Sequence, residues 1–348
     1  MTKSASVQGF SPIKRRLLLK ISLAAAAAAA GTIGMPALVH AQRAKVFRFG
    51  SATPPGSIYN QAMELFVNEV HKQSGDKLKV ELYPSSQLGS IKDMLQAVQL
   101  GTQSIGMAVP AWYSGWAKQM DVFSLPFIIS SEDRLRAALN GPLGEQVSKQ
   151  AEAVGFKMLG FWTMGPRQLV NAVRPIHTPD DLKGLKIRVI NSPVFLAAFR
   201  ALGANPVGLD SAEMYLALQQ KTVDGADNAA TDIVNLKLYE VTKYLSLTGS
   251  IFDFFGVSMN KTLWDGLGAD EKKIFTDAMN KSMEWEWKAQ PEAVKAATDR
   301  LRGILQTNEI TADGRQAFIK ATAPVYEQFE PTIGKDLLAQ AVKALGPA

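Results

Sequence analysis

The chain of 348 residues contains no cysteine, which removes disulfides, thiolate metal sites and cysteine nucleophiles together. Histidine is almost missing too. Of three, His40 lies in a leader-like segment, leaving His71 beside Lys72 in an expected helix and His177 in an expected loop, both read as solvated surface residues. A histidine metal site and a serine-histidine triad therefore lack their central groups. No Gly-x-Ser-x-Gly elbow, Walker loop or Gly-x-Gly-x-x-Gly fingerprint occurs, and the cluster Gly266-Leu267-Gly268 reads as a loop before an acidic helix. These absences leave no expected cofactor and no expected metal.

Acids are absent from residues 1–41, which carry five cations: Lys3, Lys14, Arg15, Arg16 and Lys20. An alanine-rich apolar stretch from Ile21 to Gly31 and a small-residue site at Val39-His40-Ala41 complete the pattern of a cleavable export signal, with the mature chain starting near Gln42. Lys14-Arg15-Arg16-Leu17-Leu18-Leu19-Lys20 suits a twin-arginine signal, with an ordinary secretory signal as the alternative. The apolar run is short of the ~20 residues a spanning helix needs and is interrupted by Gly31, Gly34 and Pro36. Of 38 cations and 32 acids, the remainder of the chain keeps 33 and 32, so the net charge of +6 falls to +1. With no basic patch interleaved with aromatics, nucleic-acid binding is not expected. At 47% hydrophobic, about 300 residues suffice for a core without disulfides, and the length favours two lobes.

What is present is an alternation of strands and helices. Lys45 to Gly50 is strand-like, Ser57 to Ser74 an amphipathic helix stopped by Gly75, and Leu78 to Tyr83 a second strand. Asp93 to Leu100 is a helix stopped by Gly101, and Ser104 to Val109 a third strand. This βαβαβ order implies a parallel sheet with helices on its faces, hence an α/β fold. Phe156 to Phe161, Leu185 to Val189 and Val223 to Ala226 supply further strands. Gly268 to Gln290 and Pro291 to Gln306 are strongly helical and together suit one long helix bent at Pro291, a candidate hinge element.

The most informative segment runs from Thr178 to Val189. Thr178 suits an N-cap, Pro179 the first helical position, Asp181 the third residue after the cap, and Gly184 the exit. Leu185, Ile187 and Val189 then alternate as a strand, placing Lys186 and Arg188 on the opposite face, before Asn191-Ser192-Pro193 opens a helix. Arg188 thus falls near the carboxyl end of a strand, where open α/β folds place ligands. A guanidinium there offers a planar fork to a carboxylate.

From about residue 45 to 335 the chain resembles the solute-binding proteins of tripartite ATP-independent periplasmic (TRAP) transporters, of the DctP type. The resemblance rests on segments in family order, beginning with Pro84-Ser85-Ser86-Gln87-Leu88-Gly89-Ser90, Phe123-Ser124-Leu125-Pro126-Phe127, Gly165-Pro166-Arg167 and Arg174-Pro175-Ile176. The Thr178 to Val189 block, Leu202-Gly203-Ala204-Asn205-Pro206 and Glu213-Met214-Tyr215-Leu216-Ala217-Leu218-Gln219-Gln220 follow. Val223-Asp224-Gly225-Ala226-Asp227-Asn228 and Asn260-Lys261-Thr262-Leu263-Trp264 complete the set. The resemblance implies a two-lobed periplasmic-binding-protein-like fold that closes around an organic acid and delivers it to membrane permease subunits. Arg188 matches the family's carboxylate-clamping arginine, Arg167 a second basic contact or an interlobe ion pair, and Asn228 a polar contact after the Asp-Gly strand. Arg174 is expected to hold local structure.

Expected boundaries are an export signal over 1–41, one lobe from 42–165 plus about 254–292, and another from about 166–253 plus 293–348. Trp112, Tyr59, Ser57 and Phe254 are expected to complete the site, whereas Trp116, Phe123 and Phe252 are read as packing. Ile91-Lys92 stands where many relatives carry Glu-Arg, which favours a less hydroxylated ligand than a sugar acid. The expected ligand is a small monocarboxylate or 2-oxo/2-hydroxy acid with an apolar or aromatic tail. The competing readings are an exported enzyme with Asp210, Glu213 or Asp227 as base, and a ligand-binding partner of a sensor. A monomer is the default, with a dimer as the alternative.

Overall fold

The computed structural model describes residues 44–347, so the leader-like segment lies outside the described residues. The chain opens with strand β1 (Lys45–Gly50), helix α1 (Ile58–Ser74), β2 (Leu78–Tyr83), α2 (Ile91–Leu100) and β3 (Ile105–Ala108), with β1 parallel to both β2 and β3. Capping follows the sequence. The Ser57 hydroxyl accepts from the Asn60 amide and Gly75 closes the helix with φ +57°, while Ser90 and Asp93 cap α2 reciprocally. His71 is not a freely solvated side chain: its Nε2 accepts from the Val80 amide at 2.8 Å, tying α1 to β2.

Short helices α3 (Pro110–Tyr113), α4 (Glu132–Leu139) and α5 (Pro142–Ala153) lead into β4 (Phe156–Asn171). Where the sequence suggests a strand ending at Phe161, β4 runs on for 16 residues. The second half of the chain supplies β5 (Lys186–Val189), α6 (Pro193–Ala201), β6 (Asn205–Gly208), α7 (Met214–Gln219), β7 (Gly225–Ala229), α8 (Ala230–Asn235), β8 (Tyr244–Leu247) and β9 (Phe252–Asn260). Helices α9 (Lys261–Asp265) and α10 (Ala269–Arg302), strand β10 (Gln306–Glu309), α11 (Ala312–Ile333) and α12 (Lys335–Leu345) finish it.

The strand order is β2-β1-β3-β9-β4-β7-β5-β6, with β8 joining β4 to β10. Its first part surrounds β9 and the amino-terminal stretch of β4; its second pairs the carboxyl-terminal stretch of β4 with β7 and β8. The change of partners falls at Pro166 and Arg167, so β4 passes from one lobe into the other. Irregularities between Met158 and Gly160 and between Thr163 and Gly165 bend it on the way. Gly160 is needed for close approach: a Cβ there would stand 2.5 Å from the Met283 sulfur on α10.

Helix α10 continues through Pro291 over 34 residues instead of breaking there. Its side chains serve backbone groups of the irregular strand. Glu286 accepts from the Thr163 amide at 2.9 Å, Trp287 Nε1 donates to the Phe161 carbonyl at 2.8 Å, and Gln290 Nε2 donates to the Met164 carbonyl at 2.9 Å. Glu286 is fully buried and its Oε1 finds no partner among the described residues. Burial therefore holds its pKa well above the carboxylate range. Because an acid with a raised folded pKa loses stability as pH climbs through that pKa, Glu286→Gln is expected to melt near wild type at pH 5 and above it at pH 9. A variant that melts below wild type by the same margin at both pH values would contradict this.

The carboxyl-terminal segment packs in two separate places. Strand β10 pairs with β8 in the second lobe, whereas α12 packs on α4, beside the amino-terminal part of β4. Leu337, Leu338, Ala341 and Leu345 form its buried stripe, and the Leu345 carbonyl accepts from both the Ser130 amide and hydroxyl. An apolar helical face must be covered, and here the first lobe covers it.

Candidate binding site

Where β4 changes partners, the carboxyl ends of β5 and β7 meet the helix starts of the first lobe and border a cavity of about 40 Å³. That is room for roughly three water-sized spheres. Its polar wall carries Arg188 from β5, Asn228 from β7, Asp232 from α8, Ser211 and Arg167. Its other wall is apolar, with Ile91, Met107, Val109, Trp112, Met164 and Phe255.

Arg188 is 1% exposed. Nε and Nη2 both donate to the Leu209 carbonyl, at 3.0 and 2.6 Å. Among the described residues Nη1 has no hydrogen-bond partner, and neither does the second N–H of Nη2. Burial, together with the like charge of Arg167, draws the Arg188 pKa down to about 9. The guanidinium is thus held at one edge by a neutral carbonyl; Asp227, Asp210 and Asp232 lie near enough to favour its charge, but among the described residues none forms an ion pair with it. An anion is the complement that such a group lacks.

Arg167 is held differently. Nε donates to Asp227 Oδ1 at 2.5 Å, Nη2 to the Asp227 carbonyl at 2.8 Å, and Nη1 to Asp253 Oδ2 at 3.2 Å, with Phe195 5.2 Å away across its face. Burial opposes its charge, but the two carboxylates outweigh burial and raise its pKa. Arg167 lines the cavity yet spends its donors on the protein. Asp227, considered as an enzymatic base, is the partner in that pair. Asp210 and Glu213, the other two, cap each other around a short 3-10 turn.

Asn228 Oδ1 accepts from the Ala229 amide at 2.9 Å. Among the described residues its Nδ2 has only the Met214 sulfur, 4.0 Å away, so a donor remains for a second ligand oxygen. Trp112 forms part of the apolar wall. Tyr59 and Ser57 do not line the cavity. The Tyr59 ring packs edge-on behind Phe255, and its hydroxyl meets Gln290 Nε2 and Thr231 Oγ1. Ser57 caps α1 and borders a separate groove with Val234 and Trp285. Phe254 likewise turns away, packing edge-on against Phe123 and Phe161, and Phe255 takes the cavity wall instead. Asp232, Ser211 and Phe255 are the site residues that sequence reasoning does not select. Across the rim, the Ile91 amide donates to Asp210 Oδ2 at 3.1 Å, and this bond joins the two lobes directly.

Comparison with known proteins agrees with this geometry. Residues 49–332 match the DctP family, described as bacterial extracellular solute-binding protein, family 7. The C4-dicarboxylate-binding periplasmic protein DctP of Rhodobacter capsulatus is 31% identical over 302 residues, covering 86% of this chain and 90% of that protein. The sugar acid binding protein of Advenella mimigardefordensis, solved in complex with galactonate, superposes with a TM-score of 0.85 at 29% identity, covering 87% of this chain and 98% of that one. A TRAP periplasmic solute binding protein from Bordetella bronchispeptica, with density assigned to pantoate, gives 0.82 at 28% identity, covering 86% and 99%. The chain belongs to the DctP family of extracellular solute-binding proteins, the two-lobed TRAP-transport receptors for small organic acids.

Proposed function

We propose that this protein captures a small monocarboxylate, or a 2-oxo or 2-hydroxy acid, with an apolar or aromatic tail, and passes it to TRAP permease subunits without altering it chemically. The carrying observation is the pairing of a guanidinium without an ion-pair partner among the described residues, Arg188, with an apolar opposite wall of Ile91, Trp112 and Phe255 around a cavity of about 40 Å³. The carboxylate docks on Arg188 and Asn228 in the open form. The tail then meets the apolar wall as the lobes close, and the Ile91–Asp210 bond forms across the rim. Pantoate, which accompanies the Bordetella structure, is an acid of this kind: one carboxylate, a 2-hydroxyl and a branched carbon chain.

A thermal-shift panel of the chain from Gln42, refolded to remove any carried-over ligand, tests the reading. Pantoate, 4-methyl-2-oxopentanoate and phenylpyruvate are set beside succinate and galactonate. At a hundredfold excess over Kd, a ligand adds about 2.7 kcal/mol, a shift of several degrees. A shift by at least one of the first three acids, larger than that by succinate or galactonate, is expected. Shifts with succinate or galactonate alone would sink it. For delivery, we propose twin-arginine export to the periplasm, to be read from whether Arg15→Lys with Arg16→Lys blocks accumulation there.

A further inference from the structure

We propose that Asp232 sets the charge of the acid that this site accepts, admitting monoanions and barring dicarboxylates; this rests on the carboxylate reading of Arg188. Two guanidiniums and three carboxylates come together at the cavity: Arg167 and Arg188 against Asp227, Asp253 and Asp232. Arg167 is charge-paired with both Asp227 and Asp253, and even so Asp227 Oδ2 is left with no donor among the described residues, so that group is short of positive charge, not rich in it. Arg188 is then the one cation lining the cavity, among the described residues, that makes no ion pair, and one carboxylate satisfies it.

Asp232 sits one helical turn beyond Asn228, on the first turn of α8, and lines the same cavity. Among the described residues it makes no ion pair with either arginine. The groups that face it are Arg167 from β4, Arg188 from β5 and Asn235 on its own helix, while Tyr59 from α1 feels its charge from behind. Asp210, near Arg188, is spent on the Ile91 and Ala212 amides. The rest of the wall is apolar apart from Thr53, Ser211 and Asn228, none of them charged. Lys92 borders a different groove, with Trp116 and Asn191. Three carboxylates already share these two guanidiniums, so a second ligand carboxylate would meet Asp232 and no further cation. Burial already pushes Asp232 up to about 6 against the pull of Arg167, so another negative charge beside it is strongly disfavoured. A hydroxyl or amide at that end would instead donate to Asp232.

Succinate and succinamate are matched probes, since the amide replaces one carboxylate at equal size. Titration calorimetry at pH 8 is expected to show wild type binding succinamate at least tenfold more tightly than succinate. Asp232→Asn should bring the two within about threefold by admitting succinate, with Asp232→Ser as a second variant should the first fold poorly. Succinate that stays excluded from both variants, or that binds wild type as tightly as succinamate, overturns the charge selection. The monocarboxylate reading is judged separately, by whether the monoacids of the thermal-shift panel bind.

Discussion

Replacing Arg188 with alanine is expected to leave the protein folded and to weaken acid binding by roughly 30-fold to several thousand-fold. Truncating one partner of a desolvated charge pair costs about 2–5 kcal/mol. The fold itself gains little from this side chain. Its bonds go to one carbonyl, and burial beside Arg167 disfavours its charge, as its pKa near 9 reflects. A residue that the fold holds at a cost but that faces a cavity contributes to ligand capture more than to folding. Arg188→Lys should also lose most of the affinity, because an ammonium cannot hold the Leu209 carbonyl along one edge and a carboxylate along the other. Titration calorimetry alongside thermal melts separates the two effects. Undiminished affinity in Arg188→Ala would refute the clamp.

Arg167→Met is expected to do the reverse and damage the fold first. The substitution leaves Asp227 and Asp253 buried with no cation between them, and breaking a buried pair in this way typically costs about 3–5 kcal/mol. The deficit should depend on pH with a definite sign. Asp253 already has a pKa raised to about 6 by burial, and removing its cation raises it further. An acid with a raised folded pKa costs stability once pH climbs through that value. Urea melts of the variant should therefore fall furthest below wild type at pH 8 and approach it near pH 5. Equal stability of variant and wild type at pH 8 would show that the pairs hold nothing together.

These two arginines mark the limit of what the sequence discloses. Arg188 is legible because its signal is local: a capped turn, a glycine exit, a short strand and a helix start follow one another directly. The structure keeps each part, with Asp181 accepting from the Thr178 amide and Gly184 at φ +79°. Arg167 stays open between ligand contact and ion pair because its partners lie 60 and 86 residues away on β7 and β9. Only strand pairing brings them together, and no local pattern encodes it.

The aromatic residues fail for a different reason. Alternation tells the two faces of a strand apart when one is wet, but β9 is buried on both faces through most of its length. Nothing in Phe252-Asp253-Phe254-Phe255 then says which ring meets the cavity, and the structure places Phe255 there. Tyr59 is drawn toward the site by its place on α1, whereas its hydroxyl is consumed by Thr231 and Gln290 from two distant helices. The length of β4 escapes for a related reason. Its irregular stretch is completed by Glu286, Trp287 and Gln290 of α10, which lie far along the chain. Helices and their ends, set by caps and apolar spacing, are the most readable parts of the chain.

The most direct test is a crystal structure of the protein from Gln42 with the acid that gives the largest thermal shift. The account predicts one carboxylate within hydrogen-bond distance of Arg188 and of Asn228 Nδ2, with the tail against Trp112 and Phe255 and Arg167 still paired to Asp227 and Asp253. A carboxylate seated away from Arg188, or an Arg167 released from its aspartates to hold the ligand, would contradict it.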